Sequence, residues 1–165
     1  MVVATTDRKR KWIPKREFIA KRLNTKVQYL DYAPYGAIRE LFRCRNAEVV
    51  LSGPANTGKS RGALEKCHWM LDKYPRIRGL MVRKTRRSIT QSCMVTYEEK
   101  VLPYRGYIPF HGGDQEWRYK NGSIFAVAGI DDPNKIFSSE WDFVYVNQAE
   151  ELDLSDWESI LSRIS

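Results

Sequence analysis

Residues 48–63 run Glu-Val-Val-Leu-Ser-Gly-Pro-Ala-Asn-Thr-Gly-Lys-Ser-Arg-Gly-Ala, and their reading decides the fold. Gly53, Gly58, Lys59 and Ser60 satisfy G-x-x-x-x-G-K-[ST], a loop whose backbone amides cradle phosphates. Each residue type has a physical task there. The two glycines allow backbone angles and close approach that a Cβ would obstruct. The following helix aims unpaired N–H groups and the positive end of its dipole at the anion. Lys59 neutralises charge near the terminal phosphates, and Ser60 is placed to ligate Mg2+. The candidate nucleotide-binding loop is therefore Gly53, Pro54, Ala55, Asn56, Thr57, Gly58, Lys59, Ser60 and Arg61. Context agrees: Val49 to Ser52 reads as the end of a buried parallel strand and Ala63 to Leu71 as a helix, the strand, loop, helix order that the motif requires.

Working outward, the chain of 165 residues is long enough for one domain with a real core. Its hydrophobic content of 42% is that of a globular protein. No apolar run approaches a membrane span, and Met1 to Trp12 lacks the apolar segment of a signal peptide. Cys44, Cys67 and Cys93 are odd in number and widely spaced, which suits a reducing compartment and makes neither a disulfide framework nor a zinc site. With His68 and His111 they read as structural or surface residues.

The net charge of +8 is unevenly placed. Residues 1–46 hold twelve lysines and arginines against four acids, whereas residues 135–165 hold two against seven. A basic arm beside a nucleotide site suggests a polyanionic partner; a solvated arm that only maintains solubility is the plainer alternative. Within it, Phe18, Ile19 and Leu23 lie at helical spacing among cations, predicting an amphipathic helix over Arg8 to Lys26. Residues 1–45 are thus a basic arm with helices, and residues 46–165 the nucleotide-binding core. A short helix is expected over Ala37 to Arg45. Tyr32 and Tyr35 precede it, and ordinary packing of these rings is weighed against stacking on a base.

Beyond the Tyr74-Pro75 stop, Arg78 to Arg83 reads as a second buried strand and Ser88 to Val101 as a helix. Between them lies Arg83-Lys84-Thr85-Arg86-Arg87, at the carboxyl end of a strand where ligands gather in open α/β sheets. These cations are candidates for DNA phosphates or for a neighbouring subunit's nucleotide. Asn121-Gly122 between Trp117–Lys120 and Ser123–Ala128 signals a hairpin with a two-residue type I′ turn. Trp141 to Val146 is a third core strand, apolar throughout as parallel strands covered on both faces are.

At the end of that strand a phosphate-loop ATPase needs an acid for the Mg2+ water shell and a glutamate that activates water. This chain carries Asn147-Gln148-Ala149-Glu150-Glu151 instead. Asn147 can accept a hydrogen bond from metal-bound water, but neither amide is a strong base. Glu150 and Glu151 are the remaining candidates, with helix-terminal charge ahead of Leu154 to Ile164 as the alternative role.

Taken together, Ser52-Gly-Pro-Ala-Asn-Thr-Gly-Lys-Ser60, Arg83-Lys-Thr-Arg86, Tyr119-Lys-Asn-Gly-Ser123, Val144-Tyr-Val-Asn-Gln-Ala-Glu-Glu-Leu152 and Asp156-Trp157-Glu158 resemble the ATPase domain of tailed-phage large terminase subunits over residues 30–165. The resemblance implies a RecA-like P-loop NTPase of the α/β class, a mostly parallel sheet flanked by helices. It implies ATP and Mg2+ as cofactors and ATP-driven movement of double-stranded DNA into a procapsid in the host cytoplasm. It further implies a homo-oligomeric ring on the portal and a small terminase subunit that chooses the DNA. In this likeness Gln148 falls where many terminases carry the catalytic glutamate. The family's basic finger belongs in the loop before the third core strand, where only Lys135 is basic; Arg83, Arg86, Arg87 and Arg105 are the other candidates. Family members continue into further strands and a nuclease domain, so the chain is expected to be an amino-terminal fragment without nuclease activity. The competing readings are a P-loop helicase or repair ATPase, and a nucleotide-gated module that binds DNA or portal but has lost catalysis.

Overall fold

The computed structural model describes residues 32–104, 108–132, 136 and 139–164. Residues 1–31 of the basic arm, with its expected amphipathic helix, and Lys135 and Arg105 lie outside them. The elements in order are α1 (Gly36–Arg43), α2 (Lys59–Lys73), β1 (Arg78–Arg83), α3 (Arg86–Ile89), π-helical turns at Thr90–Met94 and Tyr97–Val101, a 3-10 turn at Leu102–Tyr104, β2 (Phe110–His111), β3 (Glu116–Arg118), β4 (Ile124–Gly129), β5 (Phe143–Val146), a 3-10 turn at Ala149–Glu151, and α4 (Leu154–Leu161).

One mixed sheet orders its strands β2-β3-β4-β1-β5. β1 is central, parallel to β4 with Leu80 opposite Ala126 and parallel to β5 with Leu80 opposite Val144. β3 runs antiparallel to β4 and to β2. Alternate residues of each central strand enter opposite cores, which is why these strands are apolar without interruption. Met81, Phe125, Val127, Phe143 and Tyr145 pack with Leu64, Cys67 and Leu71 of α2 and with Cys93, Met94 and Tyr97 of the π-helical run. Leu80, Val82, Ala126, Ala128, Val144 and Val146 pack on the other face with Trp141, Ile136 and Ile160 of α4. In the first core, His68 Nδ1 hydrogen-bonds the Tyr119 hydroxyl at 2.8 Å, and that hydroxyl also bonds Tyr97, so the buried imidazole is structural.

The strand expected at Val49–Ser52 does not form. Residues 48–54 make no sheet pairing; Val49 and Leu51 pack on the first core while Val50 is 73% exposed. Just before β5, another segment takes the outer side of the chain. Successive N–H groups of an extended chain point to opposite sides: that of Asp142 gives to Arg78 O of β1, and that of Trp141 gives to Arg163 O at 2.9 Å on the outer side. The backbone bridge on that edge is therefore Trp141 with Ile164, parallel, and not with the segment before the loop.

The hairpin forms, but its turn is not the expected type I′, which needs positive φ at both central residues. Only Gly122 has it, at +84°. Gly122 N–H gives to Tyr119 O and Tyr119 N–H to Ser123 O, a wider loop. Asn121 is drawn into this shape because its amide reaches Leu71 O at 2.7 Å and Asp72 O at 3.1 Å, satisfying carbonyls that the end of α2 leaves unpaired.

Candidate nucleotide-binding site

The glycine-rich loop runs into α2 with no side chain capping the helix start. Gly58, at φ +79°, is the N-cap and accepts the first helical bond from Gly62 N–H at 2.9 Å. Gly53 has φ +147° and Asn56 φ +59°, so positive angles recur through the loop. Loop residues 52–58 are exposed. Lys59 folds back over them: its ammonium donates to Gly53 O at 2.6 Å, to Pro54 O, and to Thr57 Oγ1 at 3.3 Å. The cation is thus held over its own loop by neutral oxygens that an anionic phosphate would outcompete. Arg61 leaves the loop, its guanidinium 5.1 Å from the Tyr32 ring and its Nε 3.7 Å from Glu65 Oε1. Tyr32 is half-buried near Phe42, whereas Tyr35 is 70% exposed with its hydroxyl beside Gly58.

The end of β5 packs in the same core as α2, the helix that the loop opens. Asn147 N–H gives to Val82 O at 2.9 Å and its Nδ2 gives to the Tyr145 hydroxyl at 3.1 Å. Burial pushes the Tyr145 phenol well above its ordinary pKa; the Asn147 amide, which bonds its hydroxyl, acts in the opposite sense. Of the two residues proposed from sequence to face Mg2+, Asn147 is held by this buried phenol, and Ser60 stands half-buried at the start of α2, whose next turn packs in the same core as Tyr145. Sequence reasoning missed Tyr145, because it stands inside an apolar run that reads as core; the signal available was that it carries the only side-chain polar atom between Phe143 and Val146. Since Nδ2 of Asn147 is committed to Tyr145, Oδ1 is the atom left for a ligand. One hydroxyl and one amide oxygen are hard neutral donors, which fit a Mg2+ that keeps most of its waters.

After Asn147 the chain turns sharply. Gln148 is exposed at φ +52°, and Glu150 on the 3-10 turn is exposed. Glu151 is engaged: Arg83 Nε gives to its Oε2 at 2.9 Å and Nη2 to its Oε1 at 2.7 Å, and this guanidinium holds the carboxyl below the usual range. The other cations of the Arg83–Arg87 stretch are mostly committed too. Lys84 bridges Asp156 at 2.7 Å and Asp153 at 3.0 Å, both of which form the capping box of α4. Arg86 bonds Gln115 and Thr90 and is partly buried. Arg87 is exposed.

Among the described residues no group of His, Cys, Asp and Glu is placed to hold a metal, and no helix is long and apolar enough to cross a membrane. The buried Cys67 thiol is pushed up to about 12 by loss of solvent.

Fold and site together define a mixed α/β protein in which a glycine-rich loop opens a helix packed on the parallel strands of the sheet. Solved structures of the large terminase from a thermophilic bacteriophage share this fold. One matches with a TM-score of 0.60 at 17% identity, covering 68% of this chain and 30% of that chain. The complex with ADP matches at 0.57 and 14% identity, over 68% and 29%, and the complex with ATP-gamma-S at 0.56 and 17%, over 68% and 28%. The chain therefore spans less than a third of that terminase's length, and at these identities the likeness is one of fold. It is the family that the sequence motifs resemble. No protein-family model matches the chain, and neither does any curated protein.

Proposed function

We propose that this chain is the nucleotide-binding motor region of a phage large terminase, a RecA-like P-loop ATPase that couples ATP hydrolysis to packaging of double-stranded DNA. The observation that carries the reading is a glycine-rich loop that opens α2, packed in one core with β5, whose end carries Asn147, on the fold of a terminase whose structures hold ADP and ATP-gamma-S. In this reading the amides of residues 53–61 and the Lys59 ammonium take the β- and γ-phosphates. Ser60 and Asn147 Oδ1 would hold Mg2+, which supplies charge neutralisation when bound. A carboxylate must accept the proton of the water that attacks the γ-phosphorus as the bond to the ADP oxygen breaks. Gln148 is not able to do so; Glu150 is exposed and unclaimed by Arg83, whereas Glu151 is held by it. The partners that follow are duplex DNA, a small terminase subunit and the portal of a procapsid, met in a homo-oligomeric ring in the host cytoplasm.

A second reading, a nucleotide-gated module without hydrolysis, is favoured by the amide pair Asn147–Gln148 and by the Arg83 grip on Glu151. One experiment separates the two: Mg2+-ATP binding and hydrolysis with and without duplex DNA, in the parent, Lys59→Ala, Gln148→Glu, Glu150→Gln and Glu151→Gln. The motor reading expects weak turnover by the chain alone, abolished by Lys59→Ala and lowered at least a hundredfold by loss of the general base. Binding without turnover, with hydrolysis gained by Gln148→Glu, selects the second reading. Absence of nucleotide binding refutes both.

A further inference from the structure

Arg83 is the last residue of β1, yet its side chain spends every nitrogen on the segment beyond β5 and on the helix start beside it. Nε and Nη2 make a side-on pair with the two oxygens of Glu151, and Nη1 gives to Ser92 Oγ at 3.2 Å and Ser88 O at 3.4 Å. Ser92 in turn gives to Ser88 O at 2.6 Å, so the support is itself hydrogen-bonded. The guanidinium is 14% exposed and its partner 32%. The neighbouring Lys84 fastens Asp153 and Asp156 in the same way.

What these cations fasten is a turn that Ala149 and Leu152 also pack against the second core. Beyond the Asn147 N–H bond to Val82 O, its backbone makes two 3-10-type bonds, Glu151 N–H to Gln148 O and Leu152 N–H to Ala149 O, and Gln148 lies in the left-handed region. A non-glycine residue stays there only when its surroundings over-determine it. Asn147 opens this turn, and its amide meets the Tyr145 hydroxyl in the core shared with α2, the helix that the loop opens. Pinning Glu151 fixes the far end of a five-residue arc whose near end is Asn147.

We propose that Arg83 is a positioning residue for the nucleotide site: with Glu151 it forms a clamp that sets Asn147 against the phosphate loop. The inference rests on the nucleotide-binding reading above. In this arrangement both Glu151 oxygens serve as anchors, which removes Glu151 as a proton acceptor, and Arg83 is spent inside its own subunit.

The test measures the affinity of a fluorescent ADP analogue with and without Mg2+, in the parent, Arg83→Glu, Glu151→Arg, the double swap and Arg83→Gln, with thermal unfolding run alongside. The clamp predicts that each single reversal lowers the Mg2+-dependent gain in affinity about tenfold, leaves affinity without Mg2+ unchanged, and is largely restored by the swap, as expected for a directly coupled pair. Loss of thermal stability with the Mg2+-dependent gain intact would make the pair merely structural and overturn the proposal, as would a folded swap that restores nothing. Should the reversals not fold, Arg83→Gln is read by the same criterion, and a parent-like Mg2+-dependent gain in it also overturns the clamp. A parent that binds no nucleotide refutes the functional reading itself, and the clamp with it; a parent that binds while the variants behave like it refutes the clamp alone.

Discussion

Replacing Gly62 by alanine probes how the start of α2, and with it the phosphate loop, is held. An ideal Cβ at this position would lie 2.5, 2.7 and 2.9 Å from Cγ2, Cδ1 and Cγ1 of Ile38 on α1. Ile38 is 5% exposed and has no room to retreat. Forcing carbons that should sit roughly 3.5–4 Å apart to that distance costs about 1–3 kcal/mol in a packed core. Against this, alanine in a helix interior gains about 1 kcal/mol over glycine. The net expectation is a loss of ~1 kcal/mol, or about 2–4 °C in Tm for a chain of this size. In an Ile38→Ala background, itself costing ~2–5 kcal/mol, the clash is gone and only the propensity gain remains, so Gly62→Ala should stabilise. The sign of one substitution thus inverts between two backgrounds. Urea unfolding followed by circular dichroism reads it directly, and the loop should feel it, because Gly62 N–H bonds the Gly58 carbonyl at the loop's last residue. A stabilisation of ~1 kcal/mol in both backgrounds would refute the argument that contact with Ile38 requires a glycine.

Two further outcomes follow from the pairs described above. Arg83 lowers the folded-state pKa of Glu151, so the stabilisation it brings is present above the unfolded value of about 4.3 and is lost as pH falls through the lower folded value. Urea midpoints taken from about pH 6 down to pH 3 should therefore fall more in the parent than in Arg83→Gln, and equal slopes would dissociate Glu151 from acid stability. Asn121→Ala strips the amide from the Leu71 and Asp72 carbonyls and should cost about 1–3 kcal/mol by the same unfolding assay, with a value near zero showing that solvent serves those carbonyls equally well.

What the sequence made legible is what local chemistry dictates. Arg78–Arg83 has the predicted bounds of β1 because a continuous apolar run bounded by turns has few other uses, and the loop at 53–60 declares itself through glycines whose angles no other residue type adopts cheaply. The helix over 88–101 was foreseen, though not its π-helical turns, which carry Cys93, Met94 and Tyr97 into the first core. The failures share one cause, namely partners distant in sequence. Val49–Leu51 has strand composition, but a strand exists only where an edge accepts it, and these residues pack on the first core without pairing. Asn121-Gly122 has type I′ composition, but the α2 carbonyls about fifty residues earlier claim the asparagine.

The same logic governs the site. Arg83, Lys84 and Arg86 look like a cationic patch in one dimension because their acceptors, Glu151, Asp153, Asp156 and Gln115, lie 29–72 residues away. Folding converts most of that patch from a surface that recruits anions into a scaffold that holds the β5 turn, and leaves Arg87 exposed to solvent. Charge at a strand end is therefore ambiguous until its counter-charges are placed: unpaired, it attracts phosphate; paired, it positions the groups that do.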